Sequence, residues 1–378
     1  MLETIPRWGL PEVNFLETDA EKIKSEIIKA YETASGRSLA SGDPVRLFLL
    51  TIAAVIIQLR NQVNWTAQQN LLTYAQGQYL DALGVWVDVE RLPAAKAVTE
   101  LKFTLSERLA NAFVIPAGFE VSSGDVSFAT DKELVIPPGE LEGETSASCL
   151  VPGVVGNEYI AGQISTIVSP KAFLLSAENI TVSEGGSEIE NDASYAERIR
   201  LRLDSYSVAG PRLAYVYHAK SFSPAISDVS VISPVPGEVD VYTILEDGTL
   251  PSESFLEGLL EHLSSENLRP LTDYVVCKAP ESVNYSIQLD YWINKEDREN
   301  AAGIREAVQN AVEEYRVWQQ SKIGRDISPS KLITQVSLAG VSRIDEATFE
   351  PKAFRELGED QVAQCSDVKV NFKGYKDI

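Results

Sequence analysis

The residues from which chemistry could be built are few: two histidines, three cysteines and one dense run of acids. His218 and His262 are far apart in the chain, each on a segment predicted as helix and neither beside a cysteine. A packing or surface role suits each better than a metal ligand or general base. Cys149, Cys277 and Cys365 are odd in number and form no CxxC, which points to reduced thiols and folding in a cytosol. The acidic run is Gly185-Gly186-Ser187-Glu188-Ile189-Glu190-Asn191-Asp192. Its alternating carboxylates could converge on calcium, yet the EF-hand glycine and terminal Glu are missing. A turn followed by a helix N-terminus, where carboxylates suit the free N–H groups, accounts for it better. Glu188 and Glu190 could also be read as the acid and base of a glycosidase, but neighbours on one loop cannot flank a sugar. Phosphate loop, GxGxxG, HExxH and GxSxG are all missing. The expectation is therefore no enzyme, no metal and no cofactor.

Arg198 and Arg202 sit four apart on one predicted helix face. They could dock an acidic neighbour, another copy included, or pair with local Glu and Asp. Charge sets the background: 33 Lys plus Arg against 55 Asp plus Glu, a net of −22. Such a surface is repelled by nucleic acid and anionic lipid, so neither is expected as a partner.

At 378 residues, with 44% hydrophobic and 23% charged, the chain is long enough for two or three folded domains. The opening Met1-Leu2-Glu3-Thr4 lacks the basic and apolar regions of a signal peptide. Helical spacing marks Asp19 to Tyr31. Asp43-Pro44 reads as a helix cap with proline in the first turn. From Leu47 to Leu59 every residue is apolar except Thr51 and Gln58. A bilayer span needs about 20 apolar residues. This run is shorter and bracketed by Arg46 and Arg60, so it is not expected to cross a membrane. A helix apolar all round must be covered all round. Either its own domain covers Leu47, Phe48, Ile52, Val55, Ile56 and Leu59, or a helix bundle shared with another polypeptide does. The scarcity of nearby apolar sequence favours the second. The helix is expected to run on to Ala75, with a short helix at Tyr79 to Leu83.

After Pro93 the composition shifts to Val, Thr, Ser, Gly and Pro, with period two at Leu101 to Leu105 and turns at Pro116-Ala117-Gly118 and Pro137-Pro138-Gly139. Ser194 to Glu197 fits a capping box for a helix to about Tyr206, and Gly210-Pro211 precedes a second helix from Arg212 to Ser221. Strands are predicted around Val239 to Leu245, Val283 to Ile293 and Val341 to Phe349. Helices are predicted around Phe255 to Leu263, Ile304 to Trp318 and after Ser328-Pro329. The expected class is multidomain α+β: an N-terminal helical bundle region (1–95), a small all-β module (96–185), a central helical pair (186–235) and a C-terminal split βαβ-like sandwich (236–378).

The stretch Glu184 to Asp192, with Arg198-Ile199-Arg200-Leu201-Arg202, then Ala209-Gly210-Pro211, Tyr215 and Ala219, resembles the baseplate J-like family. Leu72-Thr73-Tyr74-Ala75-Gln76-Gly77-Gln78-Tyr79-Leu80-Asp81-Ala82-Leu83-Gly84 with Arg91, Ile115-Pro116-Ala117-Gly118 with Phe128-Ala129-Thr130, and Gly153-Val154-Val155-Gly156-Asn157 with Ala161-Gly162 resemble further family segments in the same order. Pro211 departs from the small or polar residue usual there. The resemblance implies a structural wedge protein of a contractile phage tail, R-type bacteriocin or related injection machine. It implies a second copy in each wedge, a smaller wedge partner in the N-terminal bundle, and contacts to neighbouring wedges, hub and sheath-side proteins. The place implied is the bacterial cytoplasm during assembly, then the tail baseplate. A carbohydrate-active tail enzyme and a fibre or receptor-attachment protein are the alternatives; the second would call for a repetitive β-rich C-terminus.

Overall fold

The computed structural model describes residues 5–205, 211–265, 268, 270 and 272–376, with the backbone alone at Asp247. Ala209 and Gly210 of the expected helix break lie outside the described residues. Two compact units divide the chain: Met1–Arg91 with Asn191–Arg200, and Leu92–Glu190 with Leu201–Ile378.

In the first unit, helices α1 (Ala20–Ser35) and α2 (Pro44–Gln68) pack along each other, and α3 (Gly77–Val85) follows. Asp19 caps α1 by accepting the Lys22 N–H at 2.7 Å. Gly36, at φ 65°, ends it in the left-handed region where a side chain would be strained. Asp43 caps α2 through the Val45 N–H, with Pro44 in the first turn as the sequence indicates. α2 stops at Gln68 rather than Ala75, and the next residues turn through short backbone bonds such as Leu71 N to Gln68 O. A strap before α1, regular only in a short 3-10 turn at Arg7–Gly9, lies on the hairpin. Its backbone is satisfied by side chains: Asn64 accepts from Phe15 and Leu16 and donates back to Leu16, and Gln68 donates to Val13.

In the second unit, strands β1 (Val98–Leu105), β2 (Phe113–Ile115), β3 (Glu120–Ser122), β4 (Ser127–Thr130), β5 (Leu134–Ile136), β6 (Glu142–Cys149), β7 (Thr166–Ile167) and β8 (Leu174–Asn179) build the β module. Six form a sheet in the order β7-β3-β4-β6-β1-β8, whose end strands approach each other, so the sheet is nearly closed; β2 and β5 pair separately. Alternation does the work. Thr99, Leu101, Phe103 and Leu105 point inward, while Lys102 points out between Glu144 and Glu178.

Helices α4 (Asp192–Ser205) and α5 (Arg212–Phe222) come next, then β9 (Ile226–Ile232), β10 (Glu238–Leu245), α6 (Glu253–Leu263) and β11 (Tyr274–Lys278). Asn191, not Ser194, accepts at the start of α4, from the Ser194 N–H at 2.9 Å. β12 (Glu281–Ile293), α7 (Ala301–Gln320), α8 (Pro329–Leu338), β13 (Arg343–Ile344) and β14 (Gln361–Tyr375) complete the chain.

The expected C-terminal sandwich over 236–378 is not one sheet. β9, β10 and β11 form a three-stranded sheet in the order β11-β10-β9, covered by α5 and α6. β12 breaks away after Ala279-Pro280 and forms a second sheet, β13-β12-β14, covered by α7 and α8. Each sheet contains one parallel pair, β10 with β11 and β12 with β14. The strand expected over Val341 to Phe349 shortens to two residues, because Asp345 folds the chain into a turn that takes the Phe349 N–H.

Candidate functional site

α2 is a helix with an apolar surface and almost no cover. Ala53 and Asn64 are its buried residues. Phe48 is 64% exposed, Val55 56%, Leu59 54% and Leu47 53%. Ile52 is exposed as well, and Ile56 is half-buried. Phe48, Ile52, Val55 and Leu59 follow each other at steps of four, three and four, the spacing of a coiled-coil seam. Val63 and Trp65 continue the exposed surface beyond Leu59, and Leu10, Val13, Phe15 and Leu16 of the strap are exposed too. Arg60, Asn61 and Gln62 interrupt the run in the sequence and hide this continuation; the helical step from Leu59 to Val63 is the signal that marks it. Trp86, 87% exposed just after α3, carried no pattern that could have marked it.

By length and hydropathy α2 is apolar enough to cross a membrane. Its apolar run of Leu47 to Leu59, broken by Thr51 and Gln58, spans about 20 Å, short of a hydrocarbon core of roughly 30 Å. The polar half that follows is tied by Asn64 and Gln68 to the strap.

The first unit is locked by a polar cluster on the stretches quoted for the family resemblance. Arg91 reaches Asp81 at 2.8 Å and Asp192 at 2.7 Å, and the other Asp192 oxygen accepts the Gly77 N–H. Burial opposes the Arg91 charge, but its bonds to Asp192 and Asp81 prevail and hold its pKa above the ordinary value. Tyr195 lies under the Arg91 guanidinium, 4.6 Å from the ring centre, and donates to the Val89 carbonyl at 2.7 Å. Gly84 lies against that hydroxyl: a Cβ there would come within 1.9 Å of it. At the strap, buried Arg7 donates to the Leu72 and Ala75 carbonyls.

Arg198 corrects the expectation of a basic docking face. It is buried, and its guanidinium donates to the Glu90 carbonyl at 2.5 Å. Arg202 is half-buried, bonded to Ser205 and stacked at 5.6 Å over Tyr217. Arg200, between them, pairs with Glu197.

The acidic run serves the backbone. Glu190 is buried and accepts the Leu92 N–H; Glu188 accepts the Val154 N–H at 3.3 Å. Asn157 bonds both backbone groups of Gly186, and a Cβ on Gly186 would lie 2.5 Å from the Gly153 carbonyl. Two of the resembling segments, Gly153 to Asn157 and Glu184 to Glu188, thus interlock. Among the described residues no group of three or more His, Cys, Asp or Glu could hold a metal ion. His218 and His262, distant in sequence, meet between α5 and α6. Burial, then the charges of His262 and Arg202, push His218 down to about 4. Burial also lowers His262, whose Nε2 is enclosed without a hydrogen-bond partner.

Four family models match in succession: the baseplate J-like N-terminal domain at 42–97, the barrel domain at 100–186, the central domain at 207–279 and the C-terminal domain at 286–371. Baseplate protein J of Escherichia phage P2 is 25% identical over 300 residues, covering 75% of this chain and 97% of that protein. A cryo-EM structure of the anti-feeding prophage baseplate aligns with 92% of this chain and 90% of its own at 13% identity and a TM-score of 0.37. With four domain models matching in order along most of its length, the chain belongs to the baseplate J-like family.

Proposed function

We propose that this chain is a structural component of a contractile-tail baseplate, in the wedge around the hub, and that α2 is its principal joint. The observation that carries this reading is the seam of Phe48, Ile52, Val55 and Leu59 left open to solvent. Four such side chains in water are an unfinished core, since each contributes about 1.5–3 kcal/mol when fully covered. The seam spacing suits a helix as cover. A second copy of the chain and a smaller wedge protein together complete the bundle. The β module and the two C-terminal sheets, β11-β10-β9 and β13-β12-β14, carry the contacts to neighbouring wedges and sheath-side proteins. On firing, the ring of wedges rearranges and passes the trigger to the sheath through interfaces with two packed states. The chain assembles in the bacterial cytoplasm and ends in the tail baseplate.

Co-expression with the other baseplate proteins tests the reading. The wild-type chain co-purifies with a helical partner and supports baseplates visible by negative stain. Val55→Glu and Phe48→Glu abolish both while the free chain keeps its far-ultraviolet circular dichroism. Intact assembly with either substitution would overturn the joint. Flotation of the wild-type chain with vesicles would instead favour a membrane for α2.

A further inference from the structure

Val154 and Val182 are exposed on the β module and stand beside a cleft of about 410 Å³. Its other wall comes from the β11-β10-β9 sheet: Ala225 just before β9, Leu245 at the end of β10, and Thr249 beyond it. Three carboxylates line the same cleft, Glu158 and Glu184 on the first wall and Glu246 on the second. A neighbouring cleft of about 580 Å³ shares Val182 and Glu184 and runs on between β1 and the start of α6. It adds Val98 as an apolar wall and Glu100, Glu253 and Glu257 as acids. Through the shared residues the two clefts form one groove, apolar along its length and edged by carboxylates. Among the described residues no lysine or arginine lines it.

These acids do not serve the fold as Glu188 and Glu190 do. Among the described residues Glu158, Glu184, Glu253 and Glu257 have no cation within ion-pairing distance. One oxygen of Glu184 is enclosed without a hydrogen-bond partner. Burial raises the pKa of Glu184, and no positive charge offsets it. Like charges gathered without counter-ions cost free energy, which an incoming cation would relieve. The acids are strung along the groove and not gathered: no group of three or more His, Cys, Asp or Glu among the described residues could hold a metal ion. That arrangement suits a basic chain better than a single ion. A second copy of this protein, at net −22, brings the wrong charge.

We propose that this groove docks a segment of another protein in which lysines or arginines alternate with apolar side chains. The apolar residues and the aliphatic stems of the basic ones lie along Val154, Val182 and Leu245, and the charged heads reach Glu158, Glu184 and Glu246. The surface is separate from α2 and does not depend on the joint proposed there.

Fluorescence anisotropy of the full chain with a labelled ten-residue peptide of alternating lysine and leucine tests it. That peptide should bind about tenfold or more tightly than alternating lysine and serine, or glutamate and leucine. Glu158→Gln with Glu184→Gln should weaken binding about tenfold, because glutamine keeps the shape and loses the charge. Val182→Ser should weaken it about threefold or more through lost apolar cover. Glu142→Gln with Glu144→Gln removes the same charge from the exposed face of β6 and should change binding by less than about twofold. That control separates the groove from the general acidity of the chain. Phe48→Glu should bind as the wild type does, so a failed α2 joint leaves this result standing. Equal losses from the two glutamate pairs, lysine–serine binding as well as lysine–leucine, or no binding below about 1 mM peptide would overturn the proposal. So would a dimer of the free chain that the Glu158→Gln, Glu184→Gln pair dissolves, which would assign the groove to a second copy.

Discussion

α2 and α7 are both long helices with apolar residues at helical spacing, and they end in opposite environments. In α7, Ile304, Val308, Ala311, Val312 and Tyr315 form a stripe that is buried under the β13-β12-β14 sheet of the same chain. In α2, Phe48, Ile52, Val55 and Leu59 form a stripe that faces water. The opposite side of α7 is charged, as a self-contained module requires, whereas α2 is apolar over much of its circumference from Leu47 to Leu59. α7 finishes a core within its own chain, whereas α2 leaves its apolar stripe open to solvent.

Tyr315→Ala should cost the C-terminal module about 3–5 kcal/mol, read as a lower urea midpoint, because Tyr315 is 0% exposed and the cavity cannot collapse. A loss below about 1 kcal/mol would show that α7 is not the closed counterpart. Acid should then divide the two units. His218 is held near 4 when folded and takes a proton near 6.5 when unfolded. The unfolded state binds the extra proton, so stability is level above pH 6.5, falls between pH 6.5 and about 4, and levels off in this respect below. Discounted for the partial exposure of His218, the loss should be about 1–3 kcal/mol. Hydrogen exchange at pH 7.5 and 4.5 should place that loss on α5 and α6 and not on α1 and α2, and His218→Gln should remove it.

Gly84→Ala should destabilise the first unit by about 1–3 kcal/mol through collision with the Tyr195 hydroxyl and the Val89 carbonyl. A neutral result in thermal melts would mean that the Arg91–Tyr195 lock yields. The smallest effect should be Phe48→Ala in the free chain, within about 0.5 kcal/mol. The same substitution should weaken a complex with the helical partner by about 2 kcal/mol or more, measured by calorimetry.

What could be read from the sequence follows from where each signal resides. Helix starts with local signals were legible: the spacing from Asp19, the cap at Asp43-Pro44 and the proline of Ser328-Pro329 mark starts that the structure keeps, although Ser328 makes no side-chain cap bond. Strands with unbroken alternation were legible too, as in Val283 to Ile293. β14 was not, because bulges at Ser366 and Lys373 shift its period and Lys369 and Gly374 break its composition. β9 and β11 were missed because short strands beside turn residues carry too few periods. The division into two sheets is a matter of which strands pair, and hydrophobic period says nothing about pairing. At the candidate site, the apolar character of α2 was plain, since it depends on residue type alone. The burial of Arg198 was not, because its partner, the Glu90 carbonyl, is a backbone group from a distant segment. The meeting of His218 and His262 is tertiary in the same way.

Side-chain footprinting of the free chain and of the assembled baseplate tests the central claim most directly. Hydroxyl-radical labelling at Phe48, Ile52, Val55 and Leu59 should be strong in the free chain and fall about tenfold or more in the particle, while labelling at Tyr315 stays low in both. Equal labelling of α2 in the two states would mean that no helix covers it there and would contradict the account.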